Sequence, residues 1–328
     1  MLIMTTKLKN IAIVIVTVLV IGVFAYLKFT GYGTKNELVT NKEVHSINSE
    51  GFVAKAGALA SDASAVKLPP EPVNGKTAGV AVLGASGYDS FVAELDHEHY
   101  KVISKKFGNS LAYEGLTSDA EVKTQLKDYL AQMLNFGAKP SNVHFIVSSG
   151  ALKEGKTEQI AQAIQKSGFV VNRITAEQEG IYALKAAMHP EYKNRAFVVD
   201  IGSGNTKISW YDETGKAQTR ESVGAKYFQN GLLDSDVFSG VQRIASQVPQ
   251  ERREICFLIG GVPNSLAKRN GGSGRYTKLN ALDSYSAKDK KEASGLNILK
   301  AIQAGTNVGQ FVFDDMANFG IGFLMSIK

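Results

Sequence analysis

Apolar positions along the chain fall into short runs divided by glycine- and charge-rich turns, and these runs alternate with stretches of helical period. Ala78–Leu83 (AGVAVL) is continuously apolar and ends in Gly84-Ala85-Ser86-Gly87. Ser90–Leu95 and Tyr100–Lys106 follow, so the pattern predicts a strand, a glycine turn and two further strands. In Asp119–Phe136 the residues Val122, Leu126, Tyr129, Leu130, Met133 and Leu134 gather on one helical face. Val143–Val147 predicts a strand, Thr157–Gly168 a helix closed by glycine, Phe169–Ile174 a strand and Ala176–Met188 a helix. Ala196–Ile201 (AFVVDI) reads as a buried strand, followed by Gly202-Ser203-Gly204-Asn205-Thr206 and a second strand, Lys207–Tyr211. Strand, glycine-rich turn, strand thus occurs twice, around Gly84 and around Gly202, which predicts two lobes built on one plan. Ile255–Ile259 is the last strand predicted, and it runs into Gly260-Gly261.

The first 76 residues break this alternation. Residues 1–10 are a short basic N-terminus. Ile11–Leu27 is an uncharged run of 17 residues, at the short end of the roughly 17–25 that span a bilayer. Lys7 and Lys9 precede it and Lys28 follows. A signal peptide starts alike, but its apolar core is usually shorter and ends at a small-x-small cleavage site. This run ends in Ala-Tyr-Leu-Lys. An uncleaved single-pass membrane anchor over 11–27 is therefore expected, ahead of a signal peptide or a core helix. Residues 28–76 read as a linker rich in Gly, Ala, Ser, Lys and Glu, closed by the stiff Pro69-Pro70-Glu71-Pro72. The flanking lysines lean weakly toward a body outside the cytoplasm.

Composition narrows the function classes. A length of 328 residues suits about two domains beyond the anchor, here lobe I over 77–197 and lobe II over 198–328. With 44% hydrophobic and 21% charged residues and 7 prolines, the chain is neither fibrous nor mainly disordered. One cysteine, Cys256 in an apolar strand, excludes an internal disulfide framework and a Cys-rich zinc site. The net charge of +6 looks basic, but Lys7, Lys9, Lys28 and Lys35 lie in an N-terminal stretch without an acid. The remainder balances 33 basic against 31 acidic residues, so no nucleic-acid partner is expected.

The glycine turns are where chemistry would sit. A turn free of side chains brings several backbone N–H groups onto one phosphate. Asp200, at a strand end before such a turn, can hold Mg²⁺, which favours one or two carboxylates plus phosphate oxygens. His97 and His99 sit in a polar turn with no third metal ligand in the pattern. Lys268, Arg269, Arg275 and Lys278 surround Gly271-Gly272-Ser273-Gly274 and read either as a basic flap for a polyanion or as a solvated loop. Glu179 reads on bare sequence as a first-turn helix acid, with Thr175 and Gln178 forming a capping box.

Five segments in register resemble the exopolyphosphatase/guanosine pentaphosphate phosphatase (Ppx/GppA) family. Val198-Val199-Asp200-Ile201-Gly202-Ser203-Gly204-Asn205-Thr206 resembles its second phosphate loop, and Gly87-Tyr88-Asp89-Ser90-Phe91 resembles its first. Ser149-Gly150-Ala151-Leu152-Lys153-Glu154 and Ile174-Thr175-Ala176-Glu177-Gln178-Glu179-Gly180 resemble two further family segments. Gly260-Gly261-Val262-Pro263-Asn264-Ser265-Leu266-Ala267 resembles the glycine loop of the second lobe. The resemblance spans residues 77–328. It implies a two-lobed actin-like (ribonuclease H-like) α/β fold acting on polyphosphate or a phosphorylated nucleotide.

On that resemblance Glu179 is the catalytic base that activates water, and Asp200 is the carboxylate on the side of a Mg²⁺ cofactor. Gly87, Asp89, Ser90, Lys153, Gly202, Ser203, Gly204, Asn205, Thr206, Gly260 and Gly261 would contact phosphate. The resemblance leaves a homodimer open, and it points to a cytoplasmic body, against the lean of the flanking lysines. Two positions depart from the family pattern. Ala85 stands in place of an acid in the first loop, and Lys207 in place of the glutamate that ends the second. A phosphate-binding sensor without turnover and an actin-like filament protein are the alternatives.

Overall fold

The computed structural model describes residues 66–84, 87–109, 127, 129–153, 155–272 and 274–327. The anchor expected over 11–27 and most of the 28–76 linker lie outside the described residues. No helix among the described residues is long and apolar enough to cross a membrane.

Eleven strands form two sheets among the described residues. The first holds β1 (Lys76–Leu83), β2 (Gly87–Leu95), β3 (Tyr100–Asn109), β4 (Val143–Val147) and β5 (Val171–Arg173) in the order β3-β2-β1-β4-β5. The second holds β6 (Ala196–Ile201), β7 (Asn205–Tyr211), β8 (Ala217–Val223), β9 (Ile255–Gly260), β10 (Tyr276–Lys278) and β11 (Gln310–Asp314) in the order β10-β11-β9-β6-β7-β8. In each sheet a meander of three antiparallel strands is extended by parallel strands added beside its first member. Setting β10 aside, the two orders are the same, so the duplication expected from the repeated glycine turn is present. Asn205 and Thr206, read as turn from their polarity, belong to β7.

Helices α1 (Gly155–Lys166), α2 (Ala176–Ala187), α3 (Asp234–Ala245), α4 (Gly261–Arg269), α5 (Lys290–Thr306) and α6 (Phe319–Leu324) cover the sheets. The chain is also helical at 129–135. Sheet alternation sorts the apolar residues into three clusters. Ala81 and Leu83 of β1 and Phe145 and Val147 of β4 pack on Met133 and on Ile160 and Ile164 of α1. Phe197 and Val199 of β6 pack on Val241 of α3, Leu266 of α4 and Leu299 of α5. The third cluster lies between the sheets, where Val80, Val82 and Phe91 meet Val198, Phe257, Leu184 of α2 and Ile321 of α6. Helix α6, at the far C-terminal end, packs on α2 and β1. Full burial of one such side chain contributes about 1.5–3 kcal/mol. A core of this extent outweighs the several kcal/mol needed to bury each charge in the cleft described next.

Candidate functional site

The glycine turns open into one cleft of about 310 Å³ between the sheets. Period-two alternation decides which expected residues reach it. Asp89 and Phe91 of β2 line the cleft. Ser90, between them, is buried and faces the other side of the sheet, with its register partner Ala81. On β7, Asn205 and Lys207 line the cleft, whereas Thr206 is buried on the opposite face, with the parity of Ile208. Ser90 and Thr206, both named as phosphate contacts by the resemblance, therefore turn their side chains away from the cleft. Gly84 lines the cleft and Gly87, which begins β2, is not among its lining residues; residues 85 and 86 and the Lys153 side chain lie outside what is described.

The second turn is tightly built. Gly202 N–H donates to the Asn205 carbonyl at 3.0 Å. The amides of Ala225 and Lys226 donate to the Gly202 and Ser203 carbonyls at 2.9 and 3.0 Å, which clamps the turn from behind. Gly224 makes that clamp possible, since a Cβ there would lie 2.4 Å from Ser203 O. Gly202, Ser203 and Gly204 line the cleft. Gly260 closes the third turn with φ +107°, and a Cβ on it would lie 2.4 Å from Ile201 O. Only glycine suits that conformation and that approach. Gly261 then opens α4, bringing a helix N-terminus to the cleft wall beside Asn264.

Glu179 enters from α2. Its helix start carries the expected capping box: Gln178 N–H donates to Thr175 Oγ1 at 3.1 Å, and Thr175 N–H donates to Gln178 Oε1 at 2.9 Å. Glu179 is thus a first-turn helix acid, and it also lines the cleft while fully buried. Its carboxylate is engaged on both oxygens. Oε1 accepts from the Ser149 amide, and Oε2 forms an ion pair with the Lys207 ammonium. Lys207 Nζ also donates to Asn205 Oδ1 at 2.6 Å. Asn205 Nδ2 in turn donates to Ser149 Oγ at 2.8 Å and Glu221 Oε1 at 2.9 Å.

Asp200 is the cross-strand partner of Lys207. Burial pushes its carboxyl up to about 6; the nearby Lys207 charge opposes that rise and Glu179 adds to it. Asp89 is pushed up to about 7 by burial first and then by Asp200, with Lys291 pulling the other way. Lys291, from the first turn of α5, lines the cleft and stands near Gly261. Burial and the neighbouring Lys226 lower its pKa.

A divalent cation does not fit this donor set. Among the described residues, no group of three or more His, Cys, Asp or Glu side chains could hold a metal ion. The point on which Glu179 and Asn205 converge, near Asp200, is taken by an ammonium. Two further acids at the cleft are committed elsewhere: Asp314 to Arg275 at 3.0 Å and Asp315 to Lys105. The His97/His99 turn closes on itself, Asp96 accepting from the Glu98 and His99 amides at 2.8 and 2.7 Å. The basic segment is not a free flap, since Arg275 pairs with Asp314 and Arg269 with Glu292. Cys256 is a buried core thiol.

The pattern of residues did not single out Lys291, Asn264 or Gly224. Lys291 sits in a lysine pair after the N-cap Asp289 and looks like any solvated helix start. Gly224 follows a polar edge strand that gives little apolar signal.

Comparison with solved structures fits this architecture. A Ppx/GppA protein of Aquifex aeolicus matches at TM-score 0.59 and 16% identity, over 76% of this chain and 96% of its own. An exopolyphosphatase of Cytophaga hutchinsonii matches at TM-score 0.58 and 10% identity, over 77% of this chain and 99% of its own. The fold is that of the Ppx/GppA proteins. An exopolyphosphatase-like protein shares it at TM-score 0.56 and 11% identity. No protein-family model matches the sequence, and no curated protein matches it.

Proposed function

We propose that the cleft binds the terminal phosphoanhydride of polyphosphate or of a guanosine pentaphosphate-like nucleotide. One observation carries this reading. The Gly202–Gly204 turn, the Gly260–Gly261 helix start and the lysines Lys207 and Lys291 meet around one cleft in a protein with the Ppx/GppA fold. Backbone amides would hold phosphate oxygens, and the two ammonium groups would supply charge.

Hydrolysis is the second reading, favoured because Glu179, Asp89 and Asp200 share the cleft with those turns. In that chemistry a water oxygen attacks the terminal phosphorus, the bridging P–O bond breaks, and Glu179 takes the water proton. A well-placed general base contributes about 10²–10⁴-fold. The ion pair with Lys207 works against this role, because both carboxylate oxygens are already engaged, one by the ammonium and one by the Ser149 amide. We therefore place binding ahead of turnover.

The test is calorimetric titration of the full chain with tripolyphosphate, run beside phosphate release by the same chain and by Glu179→Gln. Binding without release establishes a receptor. Release that Glu179→Gln lowers by about 10²-fold or more establishes a phosphohydrolase. Absence of binding sinks both readings. The body is further proposed to be tethered to a membrane by residues 11–27, on the strength of their uncharged run. A topology reporter fused after Lys328 reads which side it faces.

A further inference from the structure

We propose that the Lys207 ammonium is a built-in replacement for a divalent cation, so that this cleft takes phosphate chains without metal. The inference rests on the phosphoanhydride reading above and specifies how that site supplies its positive charge.

Two oxygen-bearing side chains, those of Glu179 and Asn205, meet at one point, with Asp200 nearby. Glu179 comes from the start of α2, Asn205 from the start of β7 and Asp200 from the end of β6. Carboxylate and amide oxygens are the hard donors that magnesium prefers. The group at that point is Lys207 Nζ, tethered to β7, almost fully buried and engaged by Glu179 Oε2 and Asn205 Oδ1. The environment fixes this arrangement. Both hydrogens of the Asn205 amide are directed away, to Ser149 and Glu221, which leaves its oxygen aimed at the ammonium. Glu179 is turned toward Lys207 by the Ser149 amide, which holds its other oxygen. Ser149 thus steers both ligands of the ammonium, one through its backbone and one through its hydroxyl.

A metal ion entering here would meet an ammonium held in place by the groups that should bind the metal. An ammonium has three donors and no acceptor, and it carries half the charge of Mg²⁺. It can therefore offset the acids and offer electrostatic attraction to phosphate, but it leaves no coordination site. Lys291 adds a second positive charge across the cleft, beside Gly261.

The experiment reads metal uptake and phosphate binding separately on the full chain. Manganese uptake is followed by electron paramagnetic resonance in the absence of phosphate. The wild-type chain is expected to leave the free Mn²⁺ signal unchanged. Lys207→Ser is expected to gain one bound ion, and a further Asp200→Asn change to lose it. Tripolyphosphate affinity of the wild-type chain, measured by calorimetry in metal-stripped buffer, is expected to be no weaker than with added Mg²⁺.

Wild-type Mn²⁺ uptake that Asp200→Asn removes would overturn the inference. So would a folded Lys207→Ser chain that takes up none, or a fall in affinity of about tenfold or more on metal removal. Should Lys207→Ser fail to fold, the two wild-type measurements decide. Should tripolyphosphate bind under neither condition, the phosphoanhydride reading fails, and the manganese measurements still judge the ammonium on their own.

Discussion

Breaking the Glu179–Lys207 pair tests the site's energetics most directly. Two unit charges roughly 3 Å apart attract by about 5.5 kcal/mol at an effective dielectric of about 20. Desolvating each ion costs several kcal/mol, so the pair as a whole contributes little net stability. Removing one partner is different, because the remaining charge keeps its desolvation cost and loses its attraction. Lys207→Met leaves Glu179 fully buried, with Asp200 nearby as a second acid. The expected loss is about 3–5 kcal/mol, a fall in Tm of roughly 6–20 °C for a body of this size. The deficit should shrink as pH is lowered, since an unpaired buried carboxyl escapes its cost by taking a proton. Adding Glu179→Gln to Lys207→Met removes the stranded charge and keeps an acceptor for the Ser149 amide, so stability should recover by about 2–3 kcal/mol. Urea unfolding of wild type, both single variants and the double variant gives the coupling energy. A Lys207→Met loss below about 1 kcal/mol, or single effects that simply add, would show that these charges are solvated and would refute the reasoning.

Three further outcomes follow from the same geometry. Gly260→Ala forces a Cβ onto a residue at φ +107° and to within 2.4 Å of Ile201 O; it should cost at least about 1–3 kcal/mol, read as a lowered urea midpoint. Lys291→Met should weaken tripolyphosphate binding by about tenfold, the scale of one charge-assisted contact, while leaving Tm within about 2 °C; calorimetry and a melting curve check both. Asp89, ordinarily near 3.8, is raised to about 7 in the fold. The native state therefore holds a proton that the unfolded chain releases, and stability falls as pH rises from about 4 to about 7. The full shift corresponds to about 4 kcal/mol; because Asp89 lines an open cleft and is only half-buried, Asp89→Asn should recover about 1–2 kcal/mol at pH 8 and almost nothing at pH 4.

How far the sequence could be read depended on whether a feature is local. The β1, β6 and β9 strands are largely apolar runs that lead into glycine, β4 is apolar but for His144, and each is legible on its own. The Thr175–Gln178 capping box is legible because its partners are three residues apart. Strand β8 (AQTRESV) was not legible, since it is a polar edge strand with no buried face. Helix α5 buries Gly295, Leu296, Ile298, Leu299, Ala301 and Ile302, covering more than one face, so its apolar period is blurred. At the site, Lys207 is visible in the sequence as a basic residue where an acid is expected. Its pairing with Glu179 is not, because the two meet only after α2 packs on β7. That the Ser90 and Thr206 side chains miss the cleft has a simpler reason: a motif names consecutive residues, whereas a strand shows the cleft only alternate ones.

The charge balance of the cleft bears on which ligand state it prefers. Its uncommitted acids are Asp89 and Asp200, its cations Lys207 and Lys291, and Glu179 is cancelled by Lys207. With Asp89 titrating near 7 and Asp200 near 6, the cleft loses negative charge as pH falls through that window. A polyanion should then bind more tightly, because binding favours the protonated carboxyls. The affinity for tripolyphosphate should accordingly rise as pH drops from about 8 to about 6, by up to about tenfold for each acid converted. The ligand titrates as well, so the informative quantity is the difference between wild type and Asp89→Asn measured in parallel. The variant should bind more tightly at pH 8 and converge on wild type by pH 6. Parallel curves with no convergence would mean that Asp89 does not face the bound phosphate, and would move the anion toward the Gly202 turn and Lys291.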